Sequence, residues 1–70
     1  MVRKPTTVEL GAFIRRHRLS AGMTQTELGD QVGIVKQAVC RMERGHVGPS
    51  AVMWVSILAV LDAPQFVLDK

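Results

Sequence analysis

Apolar positions recur along the chain at helical intervals and are separated by short polar or glycine-containing stretches. In the first segment, Leu10, Ile14 and Arg18 are spaced four residues apart and therefore share one face of a helix. A T-x-x-E capping box precedes them and predicts that this helix begins near Thr7. Gly22 predicts its end, because glycine commonly follows the last turn of a helix.

Two shorter helical segments flank the tripeptide VGI in the middle of the chain. A second T-x-x-E box predicts the start of the first of them, and Leu28 and Val32 form its inner face. Gly33 predicts its end, because glycine enters the left-handed conformation at little steric cost. Gly29 is a small residue inside this helix and allows another backbone to approach closely.

The third predicted helix runs from about Lys36 to Arg44, with Val39 and Met42 facing the core and Gly45 at its end. Its other face holds long hydrogen-bond donors that suit phosphates and base edges. This face consists of Lys36, Gln37, Cys40, Arg41 and Arg44. The preceding helix carries mainly acids and amides, so the basic charge of the pair lies on its second member.

Ser50 is expected to cap a fourth helix that extends to about Leu61, and Pro64 prevents its simple continuation. This helix is apolar on all sides. At 100° per residue, one side is assigned to the core: Ala51, Trp54, Val55, Leu58 and Leu61. The opposite side consists of Val52, Met53, Ser56, Ala59 and Val60. A helix of this kind is buried on both faces, so we expect the second face to contact another copy of the chain.

The composition indicates one domain of 70 residues, spanning positions 1–70. A lone cysteine excludes an internal disulfide and suits a reducing cytoplasm. The formal net charge is +3 and the isoelectric point is about 9.8, a mild excess that favours polyanionic partners. The sequence has no signal peptide, no membrane-length apolar run, no catalytic set and no metal-ligand spacing. We therefore expect no enzyme activity, no cofactor and no membrane partner.

The segments MTQTELGDQVGI, QAV, ERG and PS resemble the Cro/repressor (Xre-type) family of helix-turn-helix proteins. The resemblance extends from Leu10 to Leu61, with the helix-turn-helix motif at residues 25–44. It implies an all-α, lambda-repressor-like bundle of five helices, or of four helices and a short C-terminal strand. The second ending is similar to the Hip-type antitoxin branch, and residues 65–70 are compatible with either strand or helix.

The resemblance also implies roles for individual residues. Lys36, Gln37 and Arg41 occupy positions at which the family contacts bases. Gln25 and Arg44 occupy positions at which it contacts the DNA backbone, Gln25 through its amide and the N-terminus of its helix. Cys40 lies on the same exposed face in place of a common serine.

Arg18 and Glu43 match a pair that forms a partly buried salt bridge in the family. Two departures concern the helix-turn-helix motif itself. Val35 stands where the family usually has a serine or threonine, so the third helix is expected to lack its side-chain cap, at a cost of about 1 kcal/mol. Gly29 replaces the usual alanine, and its lower helix propensity is expected to cost about 0.5–1 kcal/mol.

The sequence leaves three functions open. The first is a dimeric transcriptional repressor that binds a palindromic double-stranded operator in the cytoplasm, at the nucleoid. The second is the antitoxin subunit of a toxin–antitoxin pair, which would bind its own operator and a toxin protein. The third is an interaction module without DNA binding, although four long donors on the third helix argue against it. Phe13 and Leu19 are apolar residues at usually polar positions and are candidates for the partner surface.

Overall fold

Four α-helices account for most of residues 5–61, the part of the chain that this computed structural model describes. They are α1 (Thr7–Ser20), α2 (Gln25–Val32), α3 (Lys36–Glu43) and α4 (Ala51–Leu61). The predicted all-α helix-turn-helix bundle is therefore confirmed. The alternative endings predicted for residues 65–70 lie outside the described residues.

Three of these helices begin at the capping residues that the sequence predicts. Thr6 and Thr24 each accept a hydrogen bond from the backbone N–H of the glutamate three residues later, at 3.1 and 3.0 Å. Each glutamate carboxylate accepts the backbone N–H of its threonine in return, which completes both capping boxes. The hydroxyl of Ser50 accepts the backbone N–H of Met53 at 3.1 Å. These local contacts fix where α1, α2 and α4 start.

All four helices contribute to one buried cluster of apolar side chains. Its members are Ile14, Leu28, Val39, Met42, Ile57 and Leu61. The sequence pattern predicted the inner residues of α1, α2 and α3, where polar residues mark the outward face. It missed Ile57, which is fully buried.

The predicted rotation of α4 about its axis is wrong in part, since Leu58 and Leu61 are buried as predicted but four other assignments are wrong. Ala51 and Val55, assigned to the core, are exposed, and Val55 retains 60% of its accessible surface. Met53 and Val60, assigned to the outer side, are half-buried and pack against the core cluster. An apolar helix with a single polar residue offers the sequence pattern little to fix its rotation, so the surrounding helices decide which side is buried.

The exposed side of α4 is therefore different from the predicted one. Val52 and Ala59 are exposed as predicted, Val55 joins them, and Ser56 is half-buried at the edge. Val52 retains 78% of its accessible surface. We refer to Val52, Val55 and Ala59 as the α4 strip.

Phe13 is not available to a partner, contrary to the prediction from sequence. Its side chain is buried, and its ring centroid lies 5.6 Å from that of Trp54 and 4.3 Å from that of His17. The guanidinium of Arg16 lies over the same ring, 5.7 Å from its centroid. The contact between Phe13 and Trp54 joins α1 to α4, whereas the contacts with His17 and Arg16 lie within α1. Leu19, by contrast, is exposed.

A buried ion pair joins α1 to α3. Arg18 donates from Nε to Oε2 of Glu43 at 2.6 Å and from Nη2 to Oε1 at 3.0 Å. Its Nη1 donates to the carbonyl oxygen of Met23 at 2.7 Å, so the guanidinium also holds the turn that precedes α2. The hydrogen bond to Glu43 raises the pKa of Arg18 above its ordinary value, although burial opposes this. Arg18 and Glu43 are 6% and 9% exposed, so the pair lies within the core.

The same two helices approach each other closely at Gly11. A Cβ added there would lie 2.2 Å from the carbonyl oxygen of Met42 and 2.8 Å from that of Glu43. Both oxygens belong to the backbone, so the contact cannot be relieved by rotation of a side chain. Gly11 is thus required by the distance between α1 and α3, and that distance allows Arg18 to reach Glu43.

We expect Gly11→Ala to lower the free energy of unfolding by roughly 1–3 kcal/mol, the usual effect of overpacking. The added methyl group must push α3 away from α1, which outweighs the higher helix propensity of alanine. Urea denaturation followed by circular dichroism measures the change. Ala12→Ser, at an exposed position on the same helix, is the control and should change stability little. An unchanged urea midpoint for Gly11→Ala would contradict the close packing.

We expect Arg18→Met and Glu43→Leu to destabilise the fold more as single variants than as the double variant. Each single variant leaves one charge buried without its partner, which typically costs about 3–5 kcal/mol, whereas the double variant leaves none. Thermal unfolding of the three proteins gives the comparison. A double variant that is less stable than both single variants would contradict this expectation, because the ion pair would then contribute net stabilisation.

Candidate nucleic-acid interface

Two glycines make the turn between α2 and α3. Gly33 adopts the left-handed conformation, with φ 84° and ψ 28°, and its N–H donates to the carbonyl oxygen of Gly29 at 2.8 Å. The N–H of Ile34 donates to the same oxygen at 2.8 Å. A Cβ on Gly29 would lie 2.5 Å from the carbonyl oxygen of Ile34. The lower helix propensity of Gly29 is therefore offset by the close approach of the turn, as the sequence predicted for a small residue at this position.

Gln25, at the first position of α2, connects this helix to the buried ion pair. Its side-chain Nε2 donates to Oε1 of Glu43 at 3.1 Å, and the residue is half-buried. Oε1 of Glu43 thus accepts from both Gln25 and Arg18. The phosphate contact that the resemblance implies for Gln25 stays a prediction, and the structure adds a second role, which is to hold α2 against α3.

The polar residues predicted to contact DNA lie together on the outer side of α3. Lys36, Gln37, Arg41 and Arg44 are exposed, and Cys40 is half-buried beside them with a free thiol. On the inner side, Val39 and Met42 enter the core. Arg44 is the C-cap of the helix. One surface therefore presents three cationic side chains and one amide.

The electrostatics of this surface depend on where the acid of α3 lies. Glu43 is the only acidic residue in α3, and its carboxylate is buried against Arg18. The outer side consequently carries positive charge without a neighbouring carboxylate on the same helix. Such a surface attracts polyanions, and guanidinium and amide groups can form bidentate hydrogen bonds to base edges or phosphates.

Val35 lies immediately before α3 and has a surface exposure that the sequence did not indicate. As predicted, no side-chain hydrogen bond caps the helix there. The backbone of Val35 is extended, with φ −79° and ψ 159°, and its side chain retains 65% of its accessible surface. The sequence indicated the missing cap, but it did not show that an apolar side chain projects from the end of α3.

The described residues lack two further kinds of feature, a metal-holding cluster and a membrane-spanning helix. Within residues 5–61, no three histidine, cysteine, aspartate or glutamate residues are grouped so that they could hold a metal ion. None of the helices in the same range has the length and apolar character needed to cross a membrane.

Comparison with known proteins agrees with this geometry. Residues 9–69 match the family model described as a helix-turn-helix domain. An uncharacterized HTH-type transcriptional regulator from Methanothermobacter thermautotrophicus is 34% identical over 62 residues, which cover 83% of this chain and 90% of that protein.

Solved structures show the same fold. The clp gene regulator ClgR from Corynebacterium glutamicum superimposes with a TM-score of 0.78 at 29% identity. The match covers 87% of this chain and 66% of that regulator, so this chain spans slightly less than two thirds of its length. HipB in a complex described as HipB-O4 20mer superimposes with a TM-score of 0.74 at 21% identity, covering 96% of this chain and 94% of HipB. The HipB likeness concerns the fold alone. The family match and the α2–turn–α3 geometry together show that this chain belongs to the helix-turn-helix family of DNA-binding transcriptional regulators.

Proposed function

We propose that this protein is a repressor that binds a palindromic double-stranded operator as a dimer, with α3 in the major groove. One observation carries the proposal: four long donors are exposed on one side of α3, while the acid of that helix is buried against Arg18. A groove-binding helix needs a positive or neutral outer surface, because each base pair is flanked by two phosphates. Lys36, Gln37 and Arg41 are the proposed base contacts, and Arg44 contacts the backbone.

The rigid attachment of α3 supports this role. Arg18 and Gln25 both donate to Glu43, so α1 and α2 hold α3 through one carboxylate. Bidentate contacts with bases require a fixed helix orientation, since a small displacement misaligns both hydrogen bonds at once. The ion pair thus helps to keep the donors on α3 in a constant arrangement.

The α4 strip supports the dimer. Val52 and Val55 are largely exposed on a domain of 70 residues, and Ala59 extends the strip by one turn. Burying such a surface contributes about 25 cal/mol per Å² of apolar area, which favours contact with a second copy. A two-fold axis at this contact would place two α3 helices in successive major grooves, about 34 Å apart. Dimerisation and operator affinity would then be coupled, because each half-site alone supplies few contacts.

The antitoxin alternative uses the same DNA-binding surface and adds a toxin protein as a partner. The likeness to HipB supports a shared fold and does not extend to that partner. The two alternatives predict different neighbouring genes: a reading frame for a kinase-like or nuclease toxin beside this one favours the antitoxin. In both cases the protein acts on DNA in the cytoplasm, at the nucleoid.

We expect Arg41→Ala and Gln37→Ala each to weaken binding to the preferred duplex by about 1–3 kcal/mol and to relax sequence preference. Arg44→Ala should weaken all duplexes alike and reduce the slope of log affinity against log salt by about one. Fluorescence anisotropy with preferred and scrambled duplexes at several salt concentrations separates these effects.

The matched control for charge is Arg16→Ala, because Arg16 belongs to α1, where its guanidinium lies over the Phe13 ring, and is not among the proposed contacts. This variant should keep its preference for the selected duplex. If Arg41→Ala binds with the affinity and the sequence preference of the parent protein, the outer side of α3 does not face the groove.

We expect Val52→Glu to give a folded monomer with much weaker operator binding, because a carboxylate on the α4 strip opposes its copy across the two-fold axis. Val52 is a better test than Met53, since Met53 packs against the core and its replacement would also affect folding. Sedimentation velocity measures the oligomeric state. Leu19→Glu, on the exposed side of α1, is the comparison. Dissociation of that variant, with Val52→Glu still dimeric, would place the contact on α1 instead.

A further inference from the structure

We propose that Val35 contacts the C5 methyl group of a thymine in each half-site and selects thymine at that position. This inference rests on the proposed function, since it requires that α3 lies in the major groove. It adds a specificity determinant that is apolar, whereas the other proposed base contacts are hydrogen-bond donors.

Stability of the fold does not explain a valine at this position. Serine, threonine, aspartate and asparagine at an N-cap stabilise a helix through the backbone N–H groups of its first turn, and valine cannot do so. Val35 forms no such bond, and about two thirds of its surface is exposed, so core packing does not compensate. A large apolar side chain at the end of a short helix is therefore unfavourable for the isolated protein.

The position of Val35 gives it access to base edges. The N-terminal residues of a recognition helix are those that reach into the major groove. Val35 directly precedes Lys36 and Gln37, which are both exposed at that end of α3. A side chain at the N-cap then faces the groove beside the first two polar side chains of the helix.

The chemistry of the groove identifies the ligand. Valine has no polar side-chain atom and cannot form a hydrogen bond with any base edge. Among the groups that base pairs present in the major groove, the C5 methyl group of thymine is the apolar one. Contact between the two valine methyl groups and this methyl group removes apolar surface from water and disfavours cytosine, which lacks it. The exposed side chain of Val35, which does not stabilise the N-terminus of α3, would then contribute to DNA binding.

The test uses duplexes in which deoxyuridine replaces thymidine, which removes the methyl group and leaves base pairing intact. A preferred duplex is first selected from a random library with the full chain. One thymine position is then replaced at a time, in both half-sites of the same duplex. The affinity for each substituted duplex is measured by fluorescence anisotropy. For the parent protein, we expect about fourfold weaker binding per half-site at one thymine position, the fold-change for about one buried methyl group.

Val35→Ala provides the second arm. We call the ratio of affinities for the thymine and uracil duplexes the uracil penalty. In Val35→Ala this ratio should be close to one at that position, because the methyl contact is already lost. Leu19→Ala, which shortens another exposed apolar side chain on α1, should keep the full penalty. A purely structural role for Val35 would weaken binding to thymine and uracil duplexes equally, and would leave the penalty unchanged.

The outcomes separate this inference from the proposed function. If the protein selects a duplex but shows no uracil penalty, or shows the same penalty in Val35→Ala, the inference is wrong and the proposed function stands. A selection that enriches no sequence would overturn both, because no groove contact would then exist. A penalty that disappears in Val35→Ala and persists in Leu19→Ala supports both.

Discussion

The arrangement of this bundle depends on the carboxylate of Glu43, which lies where three helices meet. It accepts two hydrogen bonds from Arg18 of α1 and one from Gln25 of α2, while belonging to α3 itself. Arg18 also binds the carbonyl of Met23, so the turn before α2 joins the same network. A buried ion pair is weak evidence of stability, because desolvation opposes the attraction between the charges. Its effect here is to fix orientation and to remove the acid of α3 from the outer surface.

That network is possible only because the helices approach closely. Gly11 lets α1 lie against the carbonyl groups of Met42 and Glu43, and Gly29 lets the turn after α2 fold back on its own helix. A Cβ at either position would meet a backbone oxygen at 2.5 Å or less. Each glycine costs about 0.5–1 kcal/mol of helix propensity relative to alanine, and each allows a contact that local propensity does not describe.

The sequence predicted the elements well because their signals are local. Each capping box and the left-handed Gly33 depend on residues within a few positions of one another, and all are present in the structure. The outer side of α3 was also predictable, since apolar Val39 and Met42 mark its inner side. The rotation of α4 was not, because ten of its eleven residues are apolar and give little contrast between its sides. For that reason Val55, which was expected in the core, is exposed, and Ile57, which was assigned to neither side, is fully buried. The burial of Phe13 depends on its contact with Trp54 across helices.

We propose that the outer side of α3 binds duplex DNA. An NMR titration of the isotope-labelled protein with its selected duplex tests it most directly, because every backbone amide reports separately. The account predicts that the largest chemical-shift changes lie in residues 35–44 and around Gln25, with small changes at Arg16 and Leu19. Changes concentrated on the outer side of α1, with α3 unaffected, would contradict it.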